Sequence, residues 1–157
     1  MTRVFLDTGV LGLVTHPNNT DDAIACKRWF RALIEAHVPI HLPEIADYEL
    51  RRKLLHRNST HALQRLDELR TMIQFVPITT PAMLKAAEFW AEARRTGQPT
   101  AADEALDGDV ILAAQAATLH ADDPEVVVAT TNVGHLSRFV KAALWQDVPG
   151  AASRTAT

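Results

Sequence analysis

One stretch near the start of the chain, residues 4–11, constrains the fold more than any other. It opens with three consecutive apolar residues, which Asp7, a threonine and a glycine follow. An unbroken apolar run is typical of a strand that is buried on both faces, as in a parallel sheet. Gly9 then predicts a turn. We therefore expect Asp7 at the carboxyl end of a central strand, the edge where open α/β sheets bind ligands.

Strand-like and helix-like segments alternate along the rest of the chain. Short apolar runs predict further strands, and the segments between them repeat their apolar residues at helical spacing. This alternation favours an α/β sandwich whose sheet is parallel or mostly parallel. The further strands are predicted at residues 39–42, 75–78 and 125–129.

Proline and other helix-boundary residues set the expected limits of the helices. Residues 12–20 contain Pro17 and two asparagines, so we expect them to form a loop. Thr80 precedes Pro81 and predicts the cap of a helix. An alanine-rich helix is predicted over about residues 107–120.

Length and composition limit the class of protein. A chain of 157 residues with 47% apolar residues fits one globular domain, expected over residues 1–149, with a frayed polar tail at 150–157. Cys26 is the only cysteine, so an intrachain disulfide is excluded and a cytoplasmic protein is expected. No apolar run is long enough to predict a signal peptide or a membrane span. The net charge of −3 excludes binding of nucleic acid by bulk charge.

Polar residues occur where the ligand edge of the sheet is expected. Asp7 ends the first predicted strand, and Thr130 begins a polar group after the last one. Asp107 and Asp109 flank Gly108 at the predicted start of a helix. One of them can cap that helix while the other lies in its first turn, and the helix dipole favours both. Asp107 also fits a cap with no other role, and Gly108 is expected to leave room for a ligand.

Glu49, in the second predicted helix, adds another acid to this group. Clustered carboxylates repel one another, so some stay protonated unless a cation joins them. Oxygen ligands without cysteine or paired histidine indicate Mg²⁺ or Mn²⁺. Such an ion suits attack on phosphate esters, because it lowers the pKa of bound water and screens the developing charge.

Four segments, in this order, resemble the PIN-domain ribonucleases, and within that family the VapC-like toxins of type II toxin–antitoxin modules. The resemblance covers about residues 4–140. The matching segments are VFLDT at 4–8, PEIADYELRR at 43–52, LDGDVILAA at 106–114 and VVATTNVGHL at 127–136.

The resemblance implies a three-layer α/β fold, with a Rossmann-like parallel sheet between helices on both faces. It also implies that Asp7, Glu49 and Asp109 are catalytic acids that bind the metal. Asp107 is expected as a further catalytic acid and an extra or alternate ligand. The chain departs from the family pattern at two positions. Many members carry Asp at the position of Asn132, and Asn or Ser is commoner than glycine at the position of Gly9. The residues expected to contact the substrate are Thr8, Arg51, Thr130, Asn132 and His135.

The predicted function is that of an Mg²⁺- or Mn²⁺-dependent endoribonuclease, which cleaves RNA phosphodiesters with a metal-activated water. By resemblance, the protein is a toxin that acts as a homodimer, and a small antitoxin protein covers its acidic cleft. Trp145 is expected to be exposed and available for such contacts. Trp29 and Trp90 are instead expected to pack in the core.

Three alternatives remain open. The triplet Asp7-Thr8-Gly9 also resembles that of the aspartic proteases, although these are all-β proteins that need two such aspartates. Haloacid dehalogenase-like phosphatases carry Asp at the same strand end, but they need a second Asp where Gly9 stands. The third alternative is a non-catalytic interaction module with a PIN-like fold.

Overall fold

The computed structural model describes residues 2–96, 103–119 and 125–149. Within the second of these ranges, side chains are described from Leu106 to Leu119. The strands are β1 Arg3–Leu6, β2 Ile40–Pro43, β3 Gln74–Val76, β4 Val126–Thr130 and β5 Ala142–Leu144. The helices are α1 Thr8–Thr15, α2 Asp21–Glu35, α3 Glu44–His56, α4 Thr60–Met72, α5 Thr80–Arg95 and α6 Asp103–Leu119. Short 3₁₀ helices lie at Leu136–Arg138 and Trp145–Asp147. None of the helices in these ranges is long and apolar enough to cross a membrane.

The five strands form one sheet in which every pairing is parallel, in the order β3-β2-β1-β4-β5. β1 and β4 are neighbours near the centre, where Val4 pairs with Val127 and Phe5 with Val128. The chain builds outward from β1 to β3 on one side and then continues with β4 on the other. The strand order therefore reverses between β1 and β4, which is the point where open α/β sheets bind ligands.

Alternate residues of the central strands pack against different helices. Val4 and Leu6 belong to a core with buried residues of α1, α2 and α4. Phe5 and Val128 belong to a second core with buried residues of α5 and α6. Because successive side chains of a strand point to opposite faces of the sheet, these helices form layers on both faces. The predicted three-layer α/β fold is confirmed.

Residues 8–15 form helix α1, although the sequence predicts a turn at Gly9 and a loop from residue 12. Asp7 caps this helix, and Val10 and Leu11 are fully buried in the core. Burial of this apolar face stabilises the helix despite the low helix propensity of its two glycines.

Other boundaries also differ from the predicted ones. Helix α6 begins at Asp103, four residues before its predicted start. Thr79 rather than Thr80 caps α5, since the Thr79 hydroxyl accepts a hydrogen bond of 3.2 Å from the N–H of Ala82. The short strand β5 was not predicted. The tail predicted at 150–157 lies outside the described residues.

The exposure of two tryptophans, Trp145 and Trp90, is the reverse of what the sequence predicts. Trp145 is only 6% exposed, and its ring centroid lies 5.7 Å from that of Trp29. The indole N–H of Trp29 donates a hydrogen bond of 3.0 Å to the carbonyl of Val148. Trp90 is 36% exposed. The predictions that Trp145 is exposed and that Trp90 lies in the core are therefore wrong.

Candidate active site

Asp7 lies at the point where the strand order reverses. It directly follows β1, and Thr130 ends the neighbouring strand β4. The Thr130 hydroxyl donates a hydrogen bond of 2.6 Å to Asp7 Oδ2, and the N–H of Thr8 donates one of 2.7 Å to Oδ1. Both carboxylate oxygens are therefore oriented, and the N-terminus of α1 favours their negative charge.

Glu49 reaches the same edge of the sheet from helix α3. The Thr8 hydroxyl donates a hydrogen bond of 3.0 Å to Glu49 Oε1. A Cβ atom on Gly108 would lie only 2.6 Å from Glu49 Oε2, so this carboxylate packs directly against the backbone of α6. The space that Gly108 was expected to leave for a ligand is thus filled by Glu49.

Asp109, one residue further along α6, has a strongly perturbed carboxyl group. Burial raises the pKa of Asp109 from 3.8 to about 6. The negative charges of Asp7 and, more weakly, Glu49 also raise this pKa, whereas the charge of His135 lowers it. The carboxylates of Asp7 and Glu49 therefore lie near enough to Asp109 for their charges to act on it.

The three acids fit a divalent cation by their chemistry. They offer only oxygen atoms, which Mg²⁺ and Mn²⁺ prefer as ligands. Burial is the main cause of the raised pKa of Asp109, and the charges of Asp7 and Glu49 add to it. A bound cation would lower this pKa. Within the described residues, no three acidic, histidine or cysteine side chains already stand in the arrangement of a metal site.

Asp107 does not lie beside these three acids. It is exposed and lines a groove between α5 and α6 together with Met83 and Trp90. Residues two apart on a helix differ in direction by about 200°, so Asp107 and Asp109 face different sides of α6. Because α6 begins at Asp103, the prediction that Asp107 caps this helix is wrong. Its catalytic role stays a prediction.

The two neighbouring arginines of α3 have different surroundings. Arg51 contacts Asp47 and Asp67, each at 2.9 Å, and these carboxylates hold the pKa of its guanidinium above the usual range. Arg51, the predicted substrate contact, is thus engaged in linking α3 to α4. Arg52 instead has its Nη2 4.0 Å from Glu49 Oε2. Both arginines belong to a basic group near Glu49 that the sequence predicts along an RNA groove, and the spacing of three residues, about one helical turn, is what distinguishes Arg52 from Arg51.

The loop after β4 is shaped by residues that were predicted to contact substrate. The N–H of Asn132 donates to the Thr130 hydroxyl at 3.1 Å, and Asn132 Oδ1 accepts a hydrogen bond of 3.0 Å from the N–H of Gly134. A Cβ atom on Gly9 would lie 2.7 Å from the Thr131 hydroxyl. Gly9 therefore permits the close approach of α1 to this loop, a role of Thr131 and Gly9 that the sequence did not reveal.

Comparison with known families identifies the fold. The sequence model of the PIN domain matches residues 4–138, which is most of the chain. The chain belongs to the PIN-domain family. A search of curated proteins found no match.

This PIN domain has the fold of chains in several solved structures. One is from "VapBC2 from Rickettsia felis bound to a DNA fragment from their promoter", with 14% identity, a TM-score of 0.69, and coverage of 92% of this chain and 99% of that chain. FitAcB from Neisseria gonorrhoeae gives 21% identity, a TM-score of 0.68 and the same coverage. VapBC-1 from nontypeable Haemophilus influenzae gives 14% identity, a TM-score of 0.66, and coverage of 93% and 100%. The likeness is one of fold, and it agrees with the predicted resemblance to VapC-like PIN domains.

Proposed function

We propose that this PIN domain is an Mg²⁺- or Mn²⁺-dependent endoribonuclease and the toxin of a type II toxin–antitoxin module. The observation that carries the proposal lies where the strand order reverses, because Asp7 and Glu49 both accept hydrogen bonds from Thr8 there. The negative charges of both also help to raise the pKa of the partly buried Asp109. Like charges held together destabilise a fold unless a cation balances them. A function that depends on a cation accounts for their convergence.

Each residue of the site has a defined task in this proposal. Asp7, Glu49 and Asp109 hold the cation, and bound Mg²⁺ or Mn²⁺ supplies the Lewis acidity for hydrolysis of a phosphodiester. The hydroxyls of Thr130 and Thr8 orient Asp7 and Glu49 through the hydrogen bonds described above. Such outer hydrogen bonds fix the direction in which ligand oxygens point.

The antitoxin partner follows from the likeness to the VapBC and FitAcB chains. A small antitoxin would act in the cytoplasm by covering the acidic cleft and excluding RNA. A cavity of about 270 Å³ formed by α1, α2 and α4 suits such a partner, because three basic residues and one acid surround apolar residues there. The basic residues are Lys27, Arg31 and Arg65, and the acid is Glu68. An acidic segment with an apolar face would match this surface.

A homodimer is proposed through helix α5. Met83, Leu84 and Trp90 of this helix are 46%, 66% and 36% exposed. Clustered exposed apolar side chains mark surfaces where proteins associate. Met83 and Trp90 also line the groove of about 400 Å³ that runs between α5 and α6.

Cleavage of RNA by two charge-removing variants tests the enzymatic proposal. Asp7→Asn and Asp109→Asn should each lower the rate by about 100-fold or more, because each removes one negative ligand of the cation. Wild-type cleavage should require Mg²⁺ or Mn²⁺ and stop with EDTA. The matched control is Asp22→Asn, which changes an exposed acid in the first turn of α2 and should cleave normally. Full cleavage by either site variant would overturn the proposal.

A non-catalytic interaction module is the second candidate, because no metal site is already assembled among the described residues. Titration of the protein with Mn²⁺ separates the two functions. Saturable binding that Asp7→Asn abolishes supports the enzyme, whereas no binding at millimolar Mn²⁺ supports the module. A phosphatase is recognised differently, since a phosphate mimic would be trapped on Asp7.

A further inference from the structure

Helix α3 exposes an aromatic ring immediately before Glu49. Tyr48 is 51% exposed, although a tyrosine can usually place much of its ring in the core. The Arg52 guanidinium carbon lies 5.1 Å from the centre of this ring, within the range of a cation–π interaction. The ring and the guanidinium thus form one surface feature on the exposed side of α3.

The same arginine connects this ring to the acidic site. Arg52 Nη2 lies 4.0 Å from Glu49 Oε2, and the Arg52 side chain is 54% exposed. Its neighbour Arg51 is engaged with Asp47 and Asp67 instead. Arg52 therefore places a solvent-accessible positive charge at the margin of an otherwise acidic site, next to an accessible aromatic ring.

We propose that Tyr48 and Arg52 form a recognition element for unpaired RNA, in which a base stacks on the Tyr48 ring and the Arg52 guanidinium contacts the phosphate backbone. This inference rests on the proposed ribonuclease function and adds the residues beside the acids that hold the RNA. Aromatic rings bind bases of single strands by stacking, and they do so with little sequence preference. Bases inside a duplex are already stacked and cannot lie on the ring.

Kinetics of RNA cleavage with Mn²⁺ test the proposal. Tyr48→Ala should raise KM for a short unstructured RNA about tenfold, because one stacking contact is lost, and should leave kcat unchanged. Tyr48→Phe keeps the ring and should restore the wild-type KM. The same RNA annealed to its complement should be a poor substrate of the wild type. An unchanged KM in Tyr48→Ala, or equal cleavage of duplex and single strand, would overturn the proposal.

The dependence of binding on salt tests Arg52 separately. In an Asp7→Asn background, fluorescence anisotropy measures binding of the labelled single strand without cleavage. Arg52→Gln should weaken binding and reduce the slope of log K against log salt by about 0.7, as loss of one phosphate contact requires. Lys53→Gln, the same charge change at the next exposed position of α3, should leave that slope unchanged. Equal slopes in the two variants would contradict the role of Arg52.

The two proposals fail in different ways. If the wild type does not cleave RNA with Mn²⁺, the proposed function fails, and the anisotropy measurements alone decide the role of Tyr48 and Arg52. If the wild type cleaves RNA but Tyr48→Ala binds and cleaves it normally, the recognition element fails while the enzyme stands. Because Tyr48 and Arg52 are both largely exposed, these substitutions leave no cavity, and circular dichroism should show unchanged folding.

Discussion

Gly108 and Glu49 illustrate how single residues fit one another at this site. A side chain at position 108 would occupy the place of a Glu49 carboxylate oxygen, which lies 2.6 Å from an ideal Cβ. The Glu49 carboxylate is the far end of a flexible side chain, so it can move aside at little cost in stability. Its displacement would, however, break the hydrogen bond from Thr8 that orients it.

Gly108→Ala should therefore separate stability from activity. The free energy of unfolding should rise by up to about 1 kcal/mol, because alanine has the higher helix propensity, while RNA cleavage should fall about 10- to 100-fold. Gly12→Ala is the matched control, since its Cβ would make an ordinary contact of 3.8 Å with Leu50. It should gain similar stability without loss of cleavage. Urea denaturation measures the stability, and cleavage assays measure the activity. Normal cleavage by Gly108→Ala would show that activity does not depend on the position of the Glu49 carboxylate.

The raised pKa of Asp109 predicts how stability depends on pH without divalent cations. Its pKa is about 6 in the folded protein and about 3.8 when unfolded, so between these values the folded state binds more protons. Stability should then fall as pH rises from about 4 to 6, and the loss should persist above pH 6. Asp109→Asn removes this loss, so the variant should be more stable than the wild type at pH 7 in EDTA. Thermal unfolding at several pH values measures the difference, which should disappear near pH 4.

Adding a divalent cation should reverse that order of stability. Ligands that bind only the folded state stabilise it, by about 2.7 kcal/mol at a hundredfold excess over Kd. Wild-type protein should therefore gain thermal stability with Mn²⁺, whereas Asp109→Asn should gain little. Equal gains in both proteins would place the cation elsewhere.

At the scale of elements, Asp7 serves both the helix and the site. Its Oδ1 caps α1 by accepting the N–H of Thr8, while its Oδ2 accepts the Thr130 hydroxyl from β4. Asparagine caps helices about as well as aspartate, whereas alanine does not. The two possible substitutions thus remove different parts of the residue's role.

Asp7→Asn and Asp7→Ala should consequently differ in stability but agree in activity. Asp7→Ala should lose about 1 kcal/mol relative to Asp7→Asn, because the cap of the short helix α1 is lost. Both should lose metal-dependent cleavage. Urea denaturation of the two variants in EDTA provides the comparison, and equal stabilities would mean that Asp7 does not cap α1 in solution.

The same elements explain what the sequence could and could not predict. The apolar runs of β1 and β4 predicted the central strands and thus the place of Asp7, because burial on both faces leaves a clear pattern. Helix α1 was mistaken for a turn and a loop, since Gly9 permits a close approach to Thr131 rather than a turn, and Gly12 lies inside the helix. The ion pair of Arg51 with Asp67 could not be predicted, because it depends on which side of α3 faces α4.

At the scale of the whole molecule, the proposed ribonuclease function depends on a cation and on local basic groups. The chain carries a net charge of −3, and its site gathers three acids, so an RNA backbone is repelled from both. A bound divalent ion and exposed groups such as Arg52 would offset this repulsion only at the site. Specificity in such a molecule comes from local contacts rather than from the overall field.

The exposed apolar residues of helix α5 lead to a prediction about the proposed homodimer. Met83 is 46% exposed on the groove between α5 and α6, and Met72 is 60% exposed at the end of α4. Met83→Glu should convert a dimer into a monomer, because a charge buried at an apolar interface is costly. Met72→Glu makes the same change at an exposed methionine of a different helix and should remain a dimer. Light scattering coupled to size exclusion measures the mass of each variant. A monomeric wild type, or a dimer that survives Met83→Glu, would contradict an interface at α5. Loss of the dimer in Met72→Glu as well would mean that the effect is not specific to α5.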